Sequence, residues 1–459
     1  MTTVLAFLVT LAVLIAVHEY GHYRVAVACQ VKVLRFSIGF GRVIFRRAIG
    51  RDGCEFVLSA IPLGGYVRML DEREGTVPPT QRHRAFNQRP LWQRSAIVAA
   101  GPAANLLLAV LLYAIVQWVG VEEPKAVVAS PAAGSLAERA GLRAGDWVRA
   151  VSDADGTWEE VRSLPDLRWR VTQAALQGKP LRLSVSDRDG RGSRTLRLDL
   201  DREPVREPDV GWMARVGIGA AFSEPVLGEV RAGGAAAQAG LRQGDRVWRI
   251  DGEPVADAQA LRERIRASAE GMRARSSLWV VEREGRTLEF TVTPRAVQVE
   301  EAGRTRSIGR IDAYLGQPAE VVHVRRGPWE GLMHGVERTW EVSVLTVRTL
   351  ARMLIGQASL SNLSGPLTIA DVAGQSAERG LTHYLGFLAL VSVSLGVLNL
   401  LPLPMLDGGH LMYHAFEAAT GRPVPDAWLE RLQRGGFVAL VLLMSVALYN
   451  DVARLFGLH

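Results

Sequence analysis

Apolar residues cluster along the chain into four runs long enough, or nearly so, to cross a hydrocarbon core of roughly 30 Å. The first extends from about Thr3 through His18-Glu19-Tyr20-Gly21-His22 towards Cys29, and the second from Ala96 to Gly120. The third covers Tyr384 to Leu401, and the fourth is the shorter FVALVLLMSVALY from Phe437. A fifth run, 342–356, is interrupted by Arg348 and Arg352 and follows Trp329, Arg338 and Trp340. That pattern predicts an amphipathic helix lying in the membrane interface. Between the first two runs, VLRFSIGFGRVIFRR and CEFVLSAIPLGGYVRM read as strands, with a turn at Asp52-Gly53. Their apolar surface suits either a β-hairpin at the bilayer edge or an ordinary surface hairpin.

The long section between the second and third spans has a different texture, with short alternating runs and many turn residues. AGLRAGDWVRAV (140–151) and AGLRQGDRVWRI (239–250) repeat the pattern AGLRxGDxV at an offset of 99 residues. Each follows a stretch of small residues, and each predicts a short helix closed by glycine, a Gly-Asp turn and a strand. A period near one hundred residues marks a duplicated domain, since solenoid repeats are about 20–50 residues long.

Composition agrees with spans joined to soluble modules: 48% of the 459 residues are hydrophobic and 22% charged, with a mean hydropathy of +0.10. The net charge is +7. Thirteen Lys and Arg face five Asp and Glu between Arg24 and Arg94, which by the positive-inside rule puts that loop in the cytoplasm. The excess charge is thereby explained without nucleic acid. Both termini and the section from 121 to 383 then lie outside, and the loop carrying Arg422, Arg431 and Arg434 lies inside. No Lys or Arg precedes Arg24, so the basic n-region of a signal peptide is missing and the first segment is expected to remain as a span. Two cysteines, Cys29 and Cys54, are too few for a disulfide framework or a thiolate metal cage.

Candidate chemistry sits at the end of the first span. HEYGH is an HExxH motif, and residues four apart lie on one face of a helix, so His18 and His22 can bind one zinc ion. Zinc lowers the pKa of a water towards about 7, and Glu19 is placed to take its proton. Ionisable groups within a span cost a few kcal/mol each, so their presence there points to function. A third ligand is expected from NLLPLPMLDGGH (399–410), where Gly408-Gly409 after Asp407 allow close backbone approach and Pro402 and Pro404 break the helix. The first and third spans run the same way, so His18, His22 and Asp407 can meet at one depth. His410, three residues beyond, is the substitute for Asp407.

HEYGH, RFSIGFG, IPLGGYVRMLDE, AAGPAAN, the paired repeat, LSGPLTIA and LDGG, in this order, resemble the site-2 protease family of intramembrane zinc metalloproteases over nearly the whole chain. The resemblance implies His18, His22 and Asp407 as zinc ligands, Glu19 as catalytic base and Asn399 as a contact to substrate backbone. It implies a membrane-reentrant β-loop whose free edge pairs with an extended substrate. The repeat resembles circularly permuted PDZ domains, with RVGIGA (215–220) of the second copy as peptide loop and Gly217 and Ile218 as its contacts. The fold so expected is a polytopic α-helical membrane protein with four transmembrane helices, a membrane-associated β-hairpin and two periplasmic PDZ-like α+β domains. Its expected parts are a first helix (1–30), a β-loop region (31–95), a second helix (96–120) and PDZ-like domains at 121–205 and 206–298. A connector with the interfacial helix (299–383), a third helix with LDG (384–410), a cytoplasmic loop (411–435) and a fourth helix (436–459) complete it. The implied activity is the second cut in regulated intramembrane proteolysis, in a bacterial inner membrane and as a monomer. The implied substrate is a pre-trimmed single-span protein such as an anti-sigma factor, or a remnant signal peptide, with membrane lipid as the surrounding partner. The alternative is a zinc-binding, non-proteolytic scaffold, which would have no need of Glu19. A transporter would need polar residues in several spans, and the second and fourth offer only Asn105, Gln117 and Ser445.

Overall fold

In a computed structural model, residues 2–455 are described apart from 51, 153–155, 203–211, 272, 302–303 and 356–364. Two compact units divide the chain: Met1–Val121 with Arg325–His459, and Glu122–Val324. The first unit opens with helix α1 (Thr2–Ala28), strands β1 (Val33–Ile49) and β2 (Cys54–Met69), and helix α2 (Leu91–Val119). The predicted hairpin is more folded than a simple ribbon. Residues 35–38 of β1 pair with 65–68 on one side and 55–58 on the other, while 45–49 pair with 54–58. Both strands bend back at glycines, Gly39 and Gly41 in β1 and Gly64 in β2, all with positive φ. The result is a small curled sheet whose 65–69 segment has one unpaired edge. Phe40, Ile44, Phe45, Leu58 and Ile61 project outward and exposed.

The second unit contains the duplication. In the first copy, helix α3 (Leu136–Arg139) and helix α4 (Leu164–Leu176) accompany a four-stranded antiparallel sheet in the order 158–160, 147–152, 181–186, 194–198. Helix α5 (Trp212–Val216) follows. In the second copy, helix α6 (Ala235–Gln238) and helix α7 (Ala258–Ala267) accompany strands in the same order, 253–254, 246–250, 277–283, 286–292. Matching N-caps start the main helices: Ser163 accepts from Asp166 N and Asp257 from Ala260 N.

The copies do not divide where the sequence suggested. Trp212, Val216 and Ile218 belong to the first copy's core with Leu167, Val171 and Leu183, and Ala221 bridges to Val128. The second copy closes in the same way, by 313–315 against 227–230. Each copy therefore ends on a segment beyond the point where the motif repeat fades, and 215–220 closes the first copy instead of opening the second. The expected boundary at 205–206 lies outside the described residues.

The first unit resumes with α8 (Pro328–Leu354), α9 (Pro366–Glu378), α10 (Leu381–Asn399), α11 (Asp407–Thr420) and α12 (Asp426–Leu455). Among the described residues, four helices are long and apolar enough to cross a membrane: α1, α2, α10 and Ala427–Ala453 of α12. The protein is a multi-pass membrane protein. Helix α2 is central to the bundle. Leu14 of α1 and Leu388 of α10 meet Leu112 of α2, while Gly396 lies against Pro102 and Leu106, so α1 and α10 run parallel and α2 antiparallel to both. The fourth span begins ten residues earlier than expected, and α11 occupies what was expected to be loop.

Helix α8 packs along α2, with Gly331 against Trp118 and Ala114, Gly335 2.5 Å from the Val110 carbonyl by its missing Cβ, and Val342 clustered with Ala109, Val393 and Val397. The reason is a Gly-x-x-x-Gly stripe, which lets two helix backbones approach closely. Its large aromatics, Trp329 and Trp340, stay exposed.

One buried carboxylate joins the last span to the bundle. Asp451, 2% exposed, accepts from Gly365 N (2.9 Å), Leu367 N (2.9 Å), Thr368 N (3.2 Å) and Thr368 Oγ1 (2.5 Å) at the start of α9. It caps that helix from outside, and α9 in turn packs on α1, where Gly374 faces Thr3. Replacing Asp451 with alanine should cost ~2–4 kcal/mol, because several donors lose a charged acceptor at once. Thr368→Val should cost only about 1 kcal/mol. Thermal unfolding of both variants in detergent tests this: Asp451→Ala should melt well below Thr368→Val.

Candidate metal centre

The HEYGH segment lies on the last full turns of α1, and its two histidines converge as the spacing predicts. His18 Nε2 and His22 Nε2 are 3.2 Å apart. Asp407, the first residue of α11, places Oδ2 3.2 Å from His18 Nε2 and 3.6 Å from His22 Nε2. Among the described residues these three form the group able to hold a metal ion. Ligands about 2.1 Å from one tetrahedral centre are separated by about 3.4 Å, so the spacing fits zinc.

Neighbouring backbone sets this geometry. Because α2 runs antiparallel to α1, a row of α2 residues four apart faces the two histidines. Ile97 O accepts from His22 Nδ1 at 2.8 Å, and Asn105 Nδ2 lies 3.2 Å from His18 Nδ1. A carbonyl can only accept, so His22 carries its proton on Nδ1 and turns the lone pair of Nε2 to the site. Between them sits Gly101, where a Cβ would overlap His22 Nε2 and lie 2.6 Å from His22 Cε1 and 2.8 Å from His18 Nε2. A methyl group at this position would crowd the nitrogens that both histidines turn to the site. Gly21 works the other way, letting α1 approach the Ala100 carbonyl and Ala104.

Asp407 arrives by a different route. Span α10 stops at Asn399, and Leu400–Leu406, with Pro402 and Pro404, turns the chain into α11. A Cβ on Gly408 would overlap the Leu400 and Leu401 carbonyls, and one on Gly409 the Leu403 carbonyl. Both glycines are therefore steric requirements of the turn that presents the carboxylate.

Glu19 is buried beside the histidines, and Gly65 of β2 comes so close that a Cβ there would stand 2.8 Å from Glu19 Cγ. A cavity of about 880 Å³ opens from this point, lined by Glu19, Gly65, Val67, Met69, Asn399 and Asp407. The alternate residues 65, 67 and 69 show that the edge segment of the curled sheet faces it. His410 lines the same cavity but stands outside the three-atom group. Further out, Arg94 pairs with Glu417 at 2.6 Å, and Ser95 Oγ lies 3.2 Å from His414 Nδ1. Burial and the Arg94 guanidinium push His414 down to about 4, which leaves it neutral and able to accept from that hydroxyl.

Gly217 and Ile218 were expected in the second copy. They lie in the other unit, at the end of the first copy. Ile218 is fully buried, and a Cβ on Gly217 would stand 2.9 Å from Ala137. Neither side chain position is free to meet a peptide. Sequence reading missed Gly65, Ile97, Gly101 and Asn105. The last three fall four residues apart in IVAAGPAAN, a spacing that gains meaning once this row is known to face the HExxH row.

The family model for peptidase family M50 matches residues 6–443. The chain belongs to peptidase family M50. Known M50 relatives agree along its length. A Ralstonia nicotianae protein named as a zinc metalloprotease is 44% identical over 467 residues, covering all of both chains. The regulator of sigma-E protease RseP of Escherichia coli is 39% identical over 458 residues, and protease RseP of Yersinia pestis 38% over 455, each covering 98% of both chains. This M50 peptidase is a metalloprotease of the site-2 type.

The Gly101 geometry makes a direct prediction. Gly101→Ala should lower metal occupancy and proteolysis by at least ~100-fold, at or beyond the upper range for residues supporting metal ligands. Gly386→Ala, on α10 with open space around it, should change neither. Metal content of the two purified variants decides the matter.

Proposed function

We propose that the chain binds zinc through His18, His22 and Asp407 and cleaves peptide bonds within or near the spans of single-pass membrane proteins. The convergence of three lone-pair donors at the ends of two parallel spans, with a carboxylate beside them, carries this reading. Zinc would supply a Lewis acid and acidify a water at neutral pH. Glu19 accepts the proton of the attacking water as the new C–O bond forms. It then delivers that proton to the amide nitrogen as the C–N bond breaks. Asn399, at the end of α10 and in the cavity wall, holds substrate backbone through its amide.

A helical substrate hides its carbonyls, so the segment to be cut must first be extended. The unpaired edge of 65–69 offers main-chain donors and acceptors alongside Glu19, and a substrate strand adds there. The exposed apolar residues of the curled sheet keep this platform in the bilayer edge. The two copies of the 122–324 unit are PDZ-like modules that exclude large ectodomains and admit pre-trimmed proteins. An anti-sigma factor is the substrate class, in keeping with relatives named for regulation of sigma E, and remnant signal peptides are also cut. The protein works as a monomer in a bacterial inner membrane, with the PDZ-like modules periplasmic and the metal centre near the cytoplasmic face, where the basic 24–94 loop lies.

Cleavage of a single-span reporter with a shortened ectodomain tests the reading. Glu19→Gln should keep zinc and lose about 10²–10⁴-fold in rate or more, whereas Asp407→Ala should lose zinc as well. Undiminished cleavage by Glu19→Gln would place the chemistry elsewhere, and absence of zinc from the wild type would remove the metal reading.

A further inference from the structure

The two histidines are held unequally. His22 has a backbone carbonyl on its Nδ1, which fixes the tautomer that frees Nε2. His18 faces the side-chain amide of Asn105, and that amide presents Nδ2 to Nδ1 at 3.2 Å. An NH₂ group facing His18 Nδ1 suits only an imidazole protonated on Nε2, which has no lone pair to give a metal. At the same time Asn105 Oδ1 is buried with no hydrogen-bond partner among the described residues, in a residue that is 0% exposed. Amide oxygen and nitrogen are exchanged by a half-turn of the terminal torsion, and their assignment follows from the network. We infer that Asn105 positions His18 for metal binding by accepting its Nδ1–H through Oδ1, the amide being turned from the orientation seen here.

The backbone explains why a side chain is needed at this point. The Asn105 carbonyl is engaged by Ser392 Oγ of α10 at 2.7 Å and lies along the helix axis, so it is not offered to His18. Ile97, two turns away on the same row, instead meets His22 with its backbone carbonyl. The asparagine side chain is thus the counterpart of that carbonyl. A polar side chain this deep in a span requires a partner, and a metal-ligating histidine requires an acceptor for its second nitrogen. Each meets the other's need.

The inference rests on the zinc reading above, and its test separates the two. Zinc dissociation constants are measured by chelator competition for wild type, Asn105→Leu, Asn105→Ala, Asn105→Asp and Ser392→Ala, with the Co²⁺-substituted absorption spectrum of each recorded alongside. Leucine has nearly the same shape with no acceptor, and alanine, small and helix-favouring, supplies a second acceptor-free variant should leucine not fold. Both should weaken zinc binding 10–100-fold and alter the cobalt bands. Asn105→Asp retains an acceptor at the same place and should keep wild-type affinity or exceed it. Ser392→Ala removes the neighbouring interhelical bond alone and should leave affinity and spectrum unchanged. Wild-type affinity in Asn105→Leu or Asn105→Ala would overturn the assignment. So would equal losses in Asn105→Asp and Ser392→Ala, which would reduce the residue to helix packing. A wild type that binds no zinc would instead defeat the metal reading itself.

Discussion

Two imidazole nitrogens and a carboxylate oxygen with lone pairs turned towards one point, 3.2–3.6 Å apart, repel one another unless a cation lies between them. Within a membrane there is little water to soften that repulsion. The rest of the membrane unit can be understood as what is required to hold these atoms there. Helix α1 carries two of them on one face, but a single helix cannot fix imidazole rotation. That comes from α2, whose antiparallel course lays Ile97, Gly101 and Asn105 opposite the HExxH row. The third atom needs a chain that reaches the same depth from the same side. Helix α10 supplies it by running parallel to α1, stopping at Asn399 and reversing over two glycines that tolerate no side chain.

The chemistry was readable because ligands must be particular residue types at particular spacings. His18, His22 and Asp407 were named from HEYGH and LDGG, and the structure brings them together. The supporting residues were harder to read. Gly101 acts by having no side chain, and Ile97 acts through its backbone, so neither residue type announces its part. Asn105 was noticed only as a polar residue in an apolar span. All three become legible once α1 and α2 are known to be antiparallel and in register, which is tertiary information.

The same distinction accounts for the differences in the fold. The AGLRxGDxV repeat located both copies correctly because turn chemistry is local. Their ends are set by which strand completes each sheet and core, and RVGIGA proved to close the first copy with Ile218 in its core. In α8 the arginines were weighed and the Gly331-x-x-x-Gly335 stripe was not. Charges suggested the interface, while Gly331 and Gly335 allowed close packing on α2. Where a helix shows both signals, the buried face decides its position, because exposed charges need only find water at one end.

Rigid and adaptable parts of the site are divided between different kinds of structure. The three converging residues rest on helices that approach one another at glycines: Gly21 on the Ala100 carbonyl, Gly396 near the Pro102 carbonyl, Gly408 on the Leu401 carbonyl. Such contacts leave no rotamer to change and hold distances within narrow limits. The curled sheet is built otherwise, with glycine bends, register shifts and an unpaired edge. Its edge segment approaches the centre at one point, Gly65 against Glu19. A sheet edge recognises main chain and is indifferent to most side chains, whereas proton transfer tolerates little error in position. In the function proposed above, placing Glu19 on the stiff helix and the pairing edge on the bent sheet would let varied sequences be extended beside a centre that does not move with them.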